Sequence, residues 1–285
     1  RLYTGTEDVE PFLAGACLEV VQEDPLGAYC VEFIKYTVDP VVTYSEARVN
    51  ITYRRTREQV ASIVQATGAT AIRGELETAL ASFAPERVLR ISYFEQDEGF
   101  IQNLARQAYY DAPACALGMP EVSVFIYPNS GRQRIVEILL DYSQEPQELE
   151  KRQAELMQTL EELAWDLTGQ PDLPSSTAKA LLELGEYDPQ GEACVDSLFT
   201  QECANSEGLA LTYAALCQQL NLPCHVAQGT LEDTTCFWNV VQTEAGWRHI
   251  DLSAMDGREI PLYTDLEFWE LGYSWDETTL PSCTE

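Results

Sequence analysis

Residues 203–229 read CANSEGLALTYAALCQQLNLPCHVAQG. Leu209, Tyr213, Leu216 and Leu220 recur at intervals of three and four, the spacing of one helix face, so the stretch predicts a helix of about four turns. It starts near Ser206 and stops before Pro223, which cannot continue a helix. The Ser206 hydroxyl is suited to the N-cap, where it accepts an orphan backbone N–H, and Asn205 is able to share that role. An apolar strand is expected around His225 to Ala227. Two more strand-like runs follow, Thr234 to Gln242 and Trp247 to Ile250, joined by the loop Thr243-Glu244-Ala245-Gly246.

Alternation along a strand assigns faces. Cys236, Trp238 and Val240 share one face, and Phe237, Asn239 and Val241 the other. Trp247, His249 and Asp251 point together on the return strand. Antiparallel pairing through the loop sets position 236 opposite 251, within two residues. A residue at a helix N-terminus, one on a strand and an acid on the next strand have the layout of a nucleophile, a base and its orienting group.

These segments resemble the transglutaminase-like superfamily, the papain-like cysteine enzymes with a Cys–His–Asp triad. Ser206-Glu207-Gly208-Leu209-Ala210 lies where that family opens its core helix on the nucleophilic cysteine. Leu216 to Gly229 is similar to its leucine-rich helix end, proline turn and glycine-closed strand. Cys236-Phe237-Trp238-Asn239 stands for its His-Ala-Trp-Asn strand, and Trp247-Arg248-His249-Ile250-Asp251 for its Trp-x-x-x-Asp segment. The resemblance covers residues 175–260 and, more weakly, extends over the first half to the amino-terminal region of bacterial surface proteins carrying this domain. It implies triad positions at Ser206, Cys236 and Asp251, with Glu207, Trp238, Asn239, Trp247 and His249 as cleft neighbours. Of the triad only Asp251 agrees with the family.

A serine hydroxyl needs a base to take its proton, and histidine is the usual one at neutral pH. The chain has two histidines. His225 lies far from the matched positions, and His249 shares a face with Asp251 without occupying the position of the base. Cys236 has no matched base, and Asp251 would raise its thiol pKa. A buried inert thiol or a disulfide, with Cys203 one candidate partner, is the expectation for Cys236. The implied function is a catalytically inactive module that binds a peptide, a protein or a cell-wall component. The alternative is an active hydrolase or acyl-transfer enzyme using a rearranged Ser/Cys dyad.

Outward from this core, Gln147 to Leu167 predicts a long helix with Leu149, Leu156, Leu160 and Leu163 on one side, and Ser176 to Leu184 a shorter one. The first half alternates strand and helix patterns. Ala47 to Tyr53 and Val88 to Tyr93 are strand-like, while Thr56 to Ala66 and Glu98 to Tyr110 are helical. Glu121 to Tyr127 and Arg134 to Tyr142 form a hairpin through Pro128-Asn129-Ser130-Gly131. The expected class is α+β: a smaller α/β domain over 1–144, then a transglutaminase-like domain over 145–285 with a core helix packed on an antiparallel sheet.

The 47 acidic side chains against 17 basic ones give a net charge of −30. Binding to phosphate backbones needs clustered Lys and Arg, so nucleic acid and anionic lipid are not expected as partners. No run approaches the length of a membrane-spanning helix. Nine cysteines without a Cys-x-x-Cys pair give no zinc signature, and neither metal nor cofactor is expected. They suit a protein with two or more disulfides in an extracytoplasmic setting, secreted or surface-anchored. The start at Arg1 is compatible with a removed targeting segment or an upstream lipid anchor.

Overall fold

The computed structural model describes residues 8–42, 44–255 and 259–284. The chain divides into two compact units, one of residues 1–76, 85–104 and 122–140, the other of 77–84, 105–121 and 141–285.

The first unit begins with α1 (Val9–Gln22) and α2 (Pro25–Cys30), followed by an antiparallel ribbon of β1 (Val31–Val41) and β2 (Tyr44–Tyr53). Asp24 caps α2 by accepting the Gly27 N–H at 2.6 Å, and Pro25 opens it at a position that needs no N–H. Next along the chain come α3 (Arg57–Ala61), β3 (Val64–Ala66), α4 (Gly68–Ala81), β4 (Glu86–Ser92), α5 (Glu98–Asp111), β5 (Glu121–Tyr127) and β6 (Gln133–Asp141), the C-terminal parts of α4 and α5 belonging to the second unit. The sheet order is β3-β4-β6-β5, with β3 parallel and β6 antiparallel to β4. Val88, Leu89 and Ile91 of β4 and Ile135, Val136 and Ile138 of β6 are buried. Glu137, buried among them, is neutralised by Arg55 at 2.5 Å and accepts from the Tyr127 hydroxyl.

The expected hairpin over 121–142 is present. The helical pattern expected over 56–66 is split. Thr56 and Gln59 form a capping box, the helix ends at Ala61, and Val64–Ala66 instead pairs with β4, where its backbone groups find ladder partners.

The second unit continues with α6 (Pro146–Leu167), α7 (Leu173–Leu182), β7 (Glu186–Tyr187), α8 (Ser197–Gln201), β8 (Cys203–Ala204), α9 (Ser206–Gln219), β9 (Cys224–Leu231), β10 (Thr234–Thr243), β11 (Gly246–Ile250), α10 (Asp265–Glu270) and β12 (Tyr273–Trp275). Helix α7 starts earlier than the sequence suggests, because Asp172 caps it and Pro174 sits in the first turn, where a proline is tolerated. An antiparallel sheet of order β11-β10-β9-β12 carries α9 on one face. Residues Gly208 to Cys217 of α9 are all buried, so this helix is enclosed on every side, by α6 and α7 as well as by β9 and β10.

Two glycines permit close approaches here. A Cβ on Gly208 would lie 2.7 Å from the Glu192 carbonyl oxygen. One on Gly229 would overlap the Ser274 carbonyl and come within 2.6 Å of the Trp238 ring.

All nine cysteines are free thiols, which differs from the expected disulfides; Cys236 in particular is not bridged to Cys203.

Candidate functional site

Asn205, not Ser206, is the N-cap of α9: its Oδ1 accepts the Gly208 N–H at 2.9 Å. Both residue types suit the position, and the one whose backbone is extended takes it. Ser206 is thereby the first helical residue, and its Oγ accepts the Phe237 N–H of β10 at 3.4 Å. Ser206 at the start of α9 thus meets β10 through the backbone next to Cys236.

The expected faces of β10 hold. Asn239 points at α9, donating to the Ala210 carbonyl at 2.9 Å, while Cys236, Trp238 and Val240 enter the core on the opposite side. The β10–β11 register runs from Thr243↔Gly246 to Asn239↔Ile250, and continuing it sets Trp238 rather than Cys236 against Asp251. This is a slip of two residues, within the expected margin and without change of face.

Asp251 is buried and accepts from the Ser253 N–H at 2.8 Å, the Ser253 hydroxyl at 2.6 Å and the Tyr273 hydroxyl at 2.7 Å. Burial nevertheless dominates and raises its pKa above the ordinary value. Burial and the Asp251 charge together push the Cys236 thiol up to about 12. Cys236 is therefore held as a neutral thiol across physiological pH, which is the opposite of nucleophile activation.

His249 belongs to a different assembly. Its ring is fully buried and stacks on Phe268 at 4.5 Å between centroids. Nδ1 lies 3.0 Å from Trp238 Nε1, which can only donate, so Nδ1 supplies the lone pair and Nε2 carries the hydrogen toward Asp265 Oδ1 at 2.9 Å. Burial lowers the His249 pKa, and the hydrogen bond to Asp265 offsets this only in part. Burial alone would raise Asp265, but hydrogen bonds from His249, Ser282 and the Cys283 N–H outweigh it and hold the carboxyl below its usual range.

His249, Asp265 and Cys283 bring three donor atoms within 4.8 Å of one another. A metal there would need the Nε2 lone pair, and the Trp238 contact leaves Nε2 protonated, so the donor set does not fit a metal ion.

Glu207 turns toward Tyr110, whose hydroxyl donates to it at 3.0 Å. Burial raises Glu207 against the pull of Tyr110 and Arg106. The Tyr110 ring lies 5.8 Å from that of Phe237, so Ser206, Glu207, Tyr110 and Phe237, all half-buried, form one patch at the helix–strand junction. Trp247 stands apart, 5.2 Å from the His225 ring, toward the hairpin end of the sheet. Tyr110, Tyr273, Asp265 and Phe268 were not singled out by the sequence. Tyr110 precedes Glu207 by 97 residues, and Asp265 follows His249 by 16, with no motif linking either pair.

No protein-family model matches the chain, and no curated protein matches it. Among solved structures it is similar to a TGase, with a TM-score of 0.32 and 14% identity over 97% of this chain and 76% of that one. It is also similar to a candidate cysteine protease from Cytophaga hutchinsonii, with a TM-score of 0.31 and 14% identity over 50% of this chain and 65% of that one.

Proposed function

We propose that residues 175–260 form a transglutaminase-like core whose chemistry has been replaced by binding. In this reading Ser206 and Cys236 occupy former nucleophile and base positions, and Asp251 is retained as a structural acid. The protein acts as a secreted or surface-anchored bacterial module that holds a peptide, a protein or a cell-wall fragment at the junction of Ser206, Glu207, Tyr110 and Phe237.

The observation that carries this reading is the absence of an available base among the residues matched to the triad. Cys236 is a neutral thiol facing Asp251, and both nitrogens of His249 are committed, to Trp238 and to Asp265. Ser206 has no imidazole to take its proton, and the Ser206 hydroxyl is engaged as an acceptor at Phe237. The half-buried carboxyl, phenol and phenyl groups beside it supply the polar and aromatic contacts that suit an extended ligand.

The test is a titration of isotope-labelled protein with peptide and peptidoglycan-fragment mixtures, followed by NMR amide shifts and by product analysis of the same samples. Shifts centred on Ser206, Glu207 and Phe237 with no product are expected. Turnover that disappears in Ser206→Ala or Cys236→Ala would establish the rearranged enzyme instead.

A further inference from the structure

Among the described strands, β1 and β2 pair only with each other. Helix α1 packs against β1, and Ile34 of β1 joins the buried cluster around Tyr29 and Val31. Strand β2 is left open: every residue of Tyr44–Tyr53 except Thr52 is exposed, Val49 at 43% and Ile51 at 40% among them. A two-stranded ribbon is marginal in water, and a strand edge offers a row of backbone N–H and C=O groups to a further strand. β1 carries two features that interrupt such pairing, Pro40 and an irregularity between Val31 and Phe33; β2 has no proline and a regular register.

The charges on β2 select what pairs with it. The ribbon register sets Asp39 directly opposite Glu46, two like charges that repel. Arg48, two residues along on the same face, reaches Glu46 at 3.4 Å, but both side chains are more than half exposed, so this pair contributes little. Ala47 lies midway between Glu46 and Arg48. A second β2 running antiparallel about a two-fold axis at Ala47 therefore sets Glu46 opposite Arg48 of the second copy, and Arg48 opposite its Glu46. An axis at Glu46 or at Arg48 would oppose like charges, and an axis at Val49 would face Arg48 with Asn50 and Glu46 with Thr52. The strand is complementary to itself in one register.

We infer that two copies of this chain associate through β2, joining their ribbons into one four-stranded antiparallel sheet of order β1-β2-β2-β1. The partner strands overlap from Tyr44 to Asn50, with Ala47 against its own counterpart at the centre. The assembly closes at two copies, because both open β2 edges are used and the outer edges are the two β1 strands with Pro40. Ala47 and Val49 share a face of the ribbon with Val38 and Tyr36, their register partners, so the apolar rows of the two copies run on into each other. The inference is independent of the binding reading, because the ribbon belongs to the first unit and Ser206 to the second.

The test is sedimentation equilibrium of the full chain over a concentration series under reducing conditions. A mass rising from 31.9 kDa to twice that value, and no further, is expected. Arg48→Glu, which faces acid with acid across the axis, should raise the dimer Kd at least about tenfold. The charge swap Glu46→Arg with Arg48→Glu should return it to within about threefold of the native value, which also shows that the single variant is folded. In Ala47→Cys, mild oxidation followed by peptide mapping should join residue 47 to residue 47 of the second copy, the separation across a strand pair being one that a disulfide spans. A monomer at every concentration would overturn the inference, as would species that keep growing beyond two copies. So would a dimer indifferent to Arg48→Glu, one that the charge swap does not restore, or one that forms without the 47–47 link.

Discussion

Asp251 and Asp265 are two acids of one core that do opposite things. Asp251 is nearly enclosed and accepts three hydrogen bonds, yet burial wins and its pKa is raised. Asp265 is only half-buried, and its hydrogen bonds win and lower it. Asp251 therefore faces a thiol it cannot activate, while Asp265, on a different element, is the acid that holds a histidine. A histidine, a cysteine and an aspartate within a few ångströms do not make a triad. The direction of the imidazole lone pair decides, and here Trp238 takes it.

Trp238 is where that contrast is most easily broken. It is 1% exposed and contacts His249, Phe268, Tyr273 and Trp275. Trp238→Ala should cost about 3–5 kcal/mol in denaturant unfolding, as for other large buried aromatics. Gly229→Ala should follow at roughly 1–3 kcal/mol or more, because the added methyl meets a backbone carbonyl on β12 that cannot move without breaking its pairing with β9. Trp238→Phe keeps a ring but removes the donor to Nδ1, at about 1–3 kcal/mol for an unpaired buried acceptor. In that variant Asp265 still holds the hydrogen on Nε2, so the ¹⁵N shift of His249 Nδ1 should move toward that of a bare lone pair while the tautomer stays the same.

The smallest effect sharpens the comparison by its sign. Asp265, whose folded pKa is depressed, contributes stability that is present above its unfolded value of 3.8 and lost as pH falls through the folded value. Asp251, whose folded pKa is raised, contributes stability that is present below 3.8 and lost as pH rises through the folded value. Unfolding free energies of Asp265→Asn and Asp251→Asn across the acid range should therefore diverge from the native protein in opposite directions. Curves that shift the same way would show that the two carboxyls share one environment.

The helix at 206–219 and the strands around it were legible because each carries its own period: apolar residues three and four apart on α9, and alternation on β10. Alternation also placed Cys236 and Asn239 on opposite faces correctly. Thr243 and Gly246 pair with each other across a two-residue turn, in the same register that pairs Gln242 with Trp247, and counting back from either pair sets Asp251 against Trp238. Ser206 and Asn205 exchanged cap and first-turn roles because both side chains can cap, and only the backbone conformation separates them. The commitment of His249 was not legible at all. It depends on α10 returning Asp265 and Phe268 to the sheet, a contact between segments that share no pattern. Likewise nothing in the local sequence of Tyr110 points to Glu207.

The state of Cys236 separates a binding module from an enzyme. The direct measurement is the alkylation rate of each cysteine in the native protein near neutral pH, resolved by peptide mass spectrometry and compared with a free cysteine. A thiol held near 12 has a thiolate fraction about a thousandfold below that of an unperturbed one, so Cys236 should react at least about a hundredfold more slowly. If Cys236 instead reacts faster than the free thiol, the junction of α9 and β10 holds an activated nucleophile, and the reading of this core as a binding module is wrong.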